Sequence, residues 1–176
     1  MKGKKFFLFL EFFMKCLVFS DSHGSVMCMK EVLRMHRDAE VVFFLGDGIS
    51  DVEQLAISDS TRAWIVVRGN CDFRSVFMNS DVKKVEKISL LGYNIILTHG
   101  DLYGAKGGVG GLVNLARQEN ADILLFGHTH SPHEEYINEY EKPFYLFNPG
   151  SASLQSGSFG VLTLGKTVLF SHGNFL

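Results

Sequence analysis

Cysteine is scarce in this chain. Its 176 residues include three, Cys16, Cys28 and Cys71, an odd number without a C-x-x-C spacing. That excludes a disulfide framework and a zinc ribbon, and a reducing cytoplasm is the expected compartment. An excess of one charge is missing too. The formal net charge of -2 gives no basic footprint for a nucleic-acid backbone, so no stable nucleic-acid complex is expected. No apolar run approaches the roughly 20 residues of a spanning helix, which excludes a membrane partner of that kind. Linkers, internal repeats and low-complexity tracts are absent as well. What remains is a single domain, for which 46% hydrophobic content is enough to build a core.

The first thirteen residues stand apart. Lys2, Lys4 and Lys5 precede Phe6-Phe7-Leu8-Phe9-Leu10, in outline the basic and apolar regions of a signal peptide. Glu11 interrupts the run, no small-residue cleavage site follows, and the next segment already reads as a core strand. Residues 1–13 are therefore read as an N-terminal extension before a natural start at Met14, and residues 14–176 as the domain. Deleting the extension is expected to leave fold and activity intact. If it belongs to the folded molecule, its phenylalanines require burial, for instance against a neighbouring subunit.

One pattern recurs along the domain. Cys16-Leu17-Val18-Phe19 ends in Ser20-Asp21-Ser22-His23, and Val41-Val42-Phe43-Phe44-Leu45 ends in Gly46-Asp47. Trp64-Ile65-Val66-Val67 ends, one arginine later, in Gly69-Asn70, and Tyr93 to Leu97 ends in Thr98-His99-Gly100. Ile123-Leu124-Leu125-Phe126 breaks at Gly127 and then presents His128-Thr129-His130. Continuous apolar runs of this length read as strands buried on both faces. Aligned in a sheet, such strands bring their carboxyl ends to one rim, where ligands bind. Ser25 to Arg37 reads as an amphipathic helix with Val26, Met29, Val32, Leu33 and His36 at helical spacing, and 51–57 and 112–119 as shorter helices. Strand–helix–strand order in the first half predicts parallel neighbours. The second half predicts hairpins at 85–98, 135–147 and 159–171. Together these give an α/β chain of two stacked sheets with outer helices.

Two glycine patterns are excluded by context. Gly160 to Thr167 satisfies the letter of G-x-x-x-x-G-K-[ST], but Val161 to Leu164 alternates like a strand and Thr167 to Phe170 continues as one. A P-loop opens a helix, and too few residues follow Thr167 to supply it. Gly104 to Gly111 fits no phosphate-binding pattern and reads as a mobile loop before a helix.

The strand ends collect Asp21, His23, Asp47, Asn70, His99, His128 and His130. This nitrogen and oxygen set suits manganese, iron, zinc, cobalt or nickel better than calcium, and magnesium usually takes more oxygen. Seven donors exceed the needs of one tetrahedral ion. Two divalent ions against two carboxylates leave a positive site suited to a phosphate ester, and paired metals about 3.5–4 Å apart can clamp its oxygens.

The motifs Asp21-Ser22-His23, Gly46-Asp47, Gly69-Asn70-Cys71-Asp72, His99-Gly100 and Gly127-His128-Thr129-His130 together resemble the calcineurin-like metallophosphoesterases, in particular their small prokaryotic phosphodiesterase branch. The resemblance runs from Met14 to nearly the end. It implies a four-layer sandwich of two mixed β-sheets flanked by helices. It further implies one metal held by Asp21, His23, Asp47 and His130, and a second by Asp47, Asn70, His99 and His128, with Asp47 bridging. Asn70, Cys71 and Asp72 form the catalytic motif in this reading. The implied activity is hydrolysis of small phosphate diesters by a hydroxide bridging the two ions, with manganese first among nickel, zinc, iron, cobalt and magnesium. Self-association is common in the family. A phosphomonoesterase with the same ions and a non-catalytic scaffold on the same fold are the competing readings.

Two positions depart from the family pattern. Where many members carry a histidine that protonates the leaving group, this chain has Cys71, a weaker proton donor near neutral pH. Three residues after Asp47, where an acid is frequent, stands Ser50. Asp51 follows one position late and reads as a helix-start residue. Asn148 in Asn148-Pro149-Gly150-Ser151 reads either as a supporting residue or as part of a plain turn, and Arg74 as a phosphate contact or solvated surface. His36, His133 and His172 have no motif support and are assigned no role.

Overall fold

The computed structural model describes residues 12–72, 82–153 and 157–175. Within them the order is β1 (Met14–Phe19), α1 (Val26–Met35), β2 (Val41–Phe44), α2 (Ile49–Ser58), β3 (Ala63–Val66), β4 (Val85–Leu90), β5 (Tyr93–Thr98), α3 (Gly110–Gln118), β6 (Ile123–Leu125), β7 (Pro132–Ile137), β8 (Phe144–Pro149), β9 (Ser158–Leu164) and β10 (Val168–Asn174). Two five-stranded sheets result, one ordered β10-β9-β1-β2-β3 and the other β4-β5-β6-β8-β7.

The apolar runs are continuous because each inner strand is covered on both faces. In β1, Cys16 and Val18 face the second sheet, meeting Ile95, Leu97, Ile123, Leu125 and Phe147. Leu17 and Phe19 face the other way, onto Met29, Val32 and Leu33 of α1 and Val52 and Leu55 of α2. The same alternation runs through β6. Ile123 and Leu125 enter the space between the sheets, and Leu124 packs on Leu112, Leu115 and Ala116 of α3. The layers are therefore helices, sheet, sheet and helix, the four-layer sandwich expected. Cys16 lies in the middle of it, and burial, with Glu40 nearby, pushes its thiol up to about 12. That thiol is inert packing.

β1, β2 and β3 pair in parallel, and β9 and β10 add to β1 as an antiparallel hairpin. The segment that matched the P-loop pattern is the turn of this hairpin. The second sheet departs from a simple set of hairpins, since β5, β6 and β8 are parallel to one another. α3 carries the chain from β5 to β6. β7 runs outside β8 and returns through a hairpin, so it serves as the crossover from β6 to β8. Local pattern shows the hairpin but not the parallel neighbour it delivers. The glycine-rich stretch also holds more structure than a loop, with 3-10 turns at Asp101–Tyr103 and Ala105–Gly107 before α3.

Of residues 1–13, the described Phe12 and Phe13 are exposed, and the remainder of that expectation lies outside the described residues. Among the described residues no helix is long and apolar enough to cross a membrane.

Candidate metal centre

The parallel strands of both sheets end on a common rim, and their following loops are stitched by backbone bonds. Asp21 N–H donates to Gly46 O at 2.9 Å, Gly127 N–H to His99 O at 3.1 Å and Ala152 N–H to Ser20 O at 2.8 Å. The loops bend sharply. Asp21, His23, Asp47, His128 and His130 have φ between 43° and 68°, the left-handed region that costs a non-glycine residue roughly 1–2 kcal/mol. Five of the seven expected donors share this unfavourable backbone. Such strain persists where surrounding contacts over-determine it and concentrates at functional sites.

The side chains gather in two groups. Asp21, His23 and His130 form one, and Asp47, His99 and His128 the other, with the donor atoms of each within 4.8 Å of one another. In the first, His130 Nε2 is 3.1 Å and His23 Nε2 4.0 Å from Asp21 Oδ1. In the second, His99 Nε2 is 3.3 Å from Asp47 Oδ2 and 3.1 Å from His128 Nδ1. Asn70 Oδ1 approaches the same nitrogen at 3.2 Å. The groups adjoin, since His99 Nε2 is 3.9 Å from Asp21 Oδ1. His99 is fully buried, whereas the side chains of His23 and His130 are 38% and 48% exposed. The pair therefore opens to solvent on the side of the first group.

The donor chemistry fits cations. His99 Nδ1 lies 2.8 Å from the Leu45 carbonyl, which can only accept, so Nδ1 carries the proton and Nε2 presents a lone pair in the neutral ring. That lone pair faces carboxylate and amide oxygens, which repel it unless a cation or proton lies between. A carbonyl bond on the far nitrogen is the usual way a metal-ligating histidine is oriented. Among the described residues, Asp21 Oδ1 is buried without a hydrogen-bond partner, with His130 Nε2 3.1 Å away. A buried carboxylate oxygen left unpaired costs at least about 1–3 kcal/mol. A cation held by this group would remove that cost.

Local contacts keep the ligands in their binding forms. Burial, followed by the proximity of His99 and Lys106, holds His128 below its ordinary value, so the ring is neutral near pH 7. Burial works to raise Asp47, but the Cys71 backbone N–H and His99 outweigh it and hold the carboxyl below the usual carboxylate range. Asp21 Oδ2 accepts from Ser20 Oγ at 2.5 Å and His128 N–H at 3.0 Å, which aims Oδ1 at the histidines.

Several supporting residues lay beyond motif reasoning. Ser20 is one. Asp51 sits in the first turn of α2, as its helix-start reading requires, but its Oδ2 also accepts from Ser22 Oγ at 2.6 Å and Gly24 N–H at 2.8 Å, bracing the loop of Asp21 and His23. Asn148 is a supporting residue rather than a plain turn, because its amide donates to Gly127 O at 2.9 Å and Thr129 Oγ1 at 3.0 Å. Ser151 Oγ donates to Asp21 O at 2.8 Å. His172 Nε2 meets Asn148 O at 2.8 Å, one step further out, and His36 and His133 stand apart from both groups. A run of apolar residues signals a strand, but contacts between distant loops leave no local signal.

The Asn70–Asp72 motif divides in its placement. Asn70 is at the second group. Cys71 is exposed, its Sγ accepts from Asn70 Nδ2 at 3.2 Å, and its N–H donates to Asp47 Oδ1 at 2.7 Å. Hydrogen bonding to Asp47, with some burial and the surrounding carboxylates, pushes the thiol up. The carboxylate of Asp72 is occupied by backbone N–H groups of Asp47, Gly48, Ile49 and Gly69 and has no described contact with the donor atoms. Arg74 lies outside the described residues.

Comparison with known proteins bears on the family and the fold. The family described as the calcineurin-like phosphoesterase superfamily domain matches residues 14–167. The probable metallophosphoesterase YsnB of Bacillus subtilis is 30% identical over 155 residues, covering 86% of this chain and 85% of its own length. The phosphodiesterase YfcE of Escherichia coli is 29% identical over 171 residues, covering 85% and 87%. A phosphoesterase-like structure from Streptococcus pneumoniae superposes with a TM-score of 0.72 at 23% identity, over 93% of this chain and 98% of that one. This last likeness concerns the fold.

Proposed function

The chain belongs to the calcineurin-like phosphoesterase superfamily, and from that premise we propose that it is a phosphodiesterase working with two divalent metal ions. Asp21, His23, Asp47 and His130 hold one ion in this reading, and Asp47, Asn70, His99 and His128 the other. Manganese is the first candidate metal. The observation that carries the proposal is the adjacency of two Asp/His groups, one of them with a buried carboxylate oxygen that has no hydrogen-bond partner among the described residues. When bound, such ions supply Lewis-acid stabilisation of phosphoryl oxygens and a hydroxide nucleophile at neutral pH.

The protein's own part is positioning. Leu45 O fixes the His99 tautomer, Ser20 and the His128 N–H orient Asp21, and the exposed side of His23 and His130 admits the ester. Cys71, exposed beside Asn70, takes the motif position at which the family often has a histidine that protonates the leaving group. Its raised thiol pKa makes it a slow donor, so esters with good leaving groups are the preferred substrates. The substrate is a small phosphate ester rather than a nucleic-acid strand, because the chain lacks a basic footprint.

The test is to strip the protein with chelator, restore manganese, nickel, zinc or magnesium in turn, and assay an aryl phosphodiester beside the monoester. Diester turnover restored by manganese is the expected result. Faster monoester turnover would make it a phosphomonoesterase. No turnover and no bound metal by elemental analysis would leave a scaffold.

A further inference from the structure

Asp72 makes an arrangement that its place in a catalytic motif does not explain. Its Oδ2 accepts from Asp47 N–H at 2.7 Å and Gly69 N–H at 2.8 Å, and its Oδ1 from Gly48 N–H at 2.9 Å and Ile49 N–H at 3.0 Å. Gly48 stands at the N-cap of α2 and offers no side-chain cap. Asp72 therefore caps that helix from another loop, placing negative charge at the positive end of the helix dipole. The clasp is reciprocal, since Asp47 Oδ1 takes the Cys71 N–H at 2.7 Å. With its N–H and Oδ1 both held, Asp47 keeps φ +60° and directs Oδ2 to within 3.3 Å of His99 Nε2. The two loops are in direct contact, because a Cβ on Gly69 would fall 2.1 Å from Asp47 Oδ1 and one on Gly46 2.4 Å from Gly69 N.

We infer that Asp72 is a positioning residue acting through Asp47. Its carboxylate holds the backbone on which the shared metal ligand stands, and because Asp47 Oδ2 is turned to His99, the ion of the Asp47–Asn70–His99–His128 group depends on it more than the other ion does. The inference rests on the two-ion reading above. Asp51 is the internal counterpart, since it braces the loop of Asp21 and His23 instead. Asp72→Asn keeps the shape of the side chain but turns one acceptor end into a donor facing N–H groups.

The experiment titrates manganese into metal-free wild type, Asp72→Asn and Asp51→Asn, counting ions per chain and recording electron paramagnetic resonance. Wild type should take up two ions with a spin-coupled signal. Asp72→Asn should lose about 10–100-fold in affinity for the ion of the His99–His128 group and less for the other, so that over a range of manganese concentration an uncoupled signal from the other ion remains. Asp51→Asn should weaken the opposite ion, so that Asp72→Asn and His128→Ala give one spectrum and Asp51→Asn and His130→Ala another. A merely structural defect would lower both affinities by equal factors, and that result, or wild-type affinity for both ions, would overturn the inference. Should Asp72→Asn fail to fold, Asp72→Glu, which keeps the charge and displaces the oxygens, is judged by the same asymmetry. Fewer than two ions in wild type would show instead that the two-ion reading has failed, and the inference with it.

Discussion

At the site, the fold shifts the protonation of His128 and of Asp47. Both have folded pKa values below their ordinary ones, so the unfolded chain takes up the proton first on acidification. The contribution of each is then complete above the ordinary value and is lost as pH falls through the folded one. For His128 that loss begins below 6.5, and for Asp47 below 3.8. The thermal midpoint of the metal-free protein should decline in these two stages. A midpoint that rises as pH is lowered through 6.5 would contradict the assignment for His128. At Cys71 the prediction concerns chemistry. A histidine there adds a proton donor, and general acid catalysis contributes about 10²–10⁴-fold where it operates. Cys71→His should speed alkyl diesters toward that range while changing aryl diesters little, and an equal change in both would remove the proposed role of the thiol.

The loops at the strand ends set how tightly the site tolerates change. Gly69 has no room for a side chain, since the Asp47 carboxylate occupies the space a Cβ would need. Gly69→Ala should cost about 1–3 kcal/mol from overpacking and weaken metal uptake, whereas Gly107→Ala, with nothing within 4 Å of the added carbon, should change neither. Equal midpoints for the two variants would refute the close approach of the loops. These loops also mark where sequence reading stops. The strands were legible because burial on both faces makes their residues uniformly apolar, and the donors because they follow those runs directly. Asp51 and Asp72 accept from partners 23 to 29 residues away, apart from the local Gly69 N–H, and no local periodicity encodes such a contact. Nor does it encode the left-handed backbone of five aspartates and histidines, a conformation that sequence patterns associate with glycine. The parallel strands of the second sheet were hidden for a related reason, since β7 looks like one arm of a hairpin while also carrying the chain across the sheet.

At the scale of the molecule, two sheets with their parallel strands ending on one rim bring Asp21, His23, Asp47 and Asn70 from one sheet to His99, His128 and His130 from the other. The ions would thus sit across the seam between the sheets, so that holding them ties the halves together. Met14 is already paired with Leu164 in β1, and all seven donors come after it. Removing residues 1–13 should therefore leave metal uptake and the thermal midpoint unchanged, and loss of soluble protein would show that the segment is part of the fold. The central claim is that the seam holds two ions. Its most direct test is the number of manganese ions bound per chain by the wild-type protein after chelation and reconstitution, measured by elemental analysis. The account predicts two, and a saturated protein with one or none would contradict it.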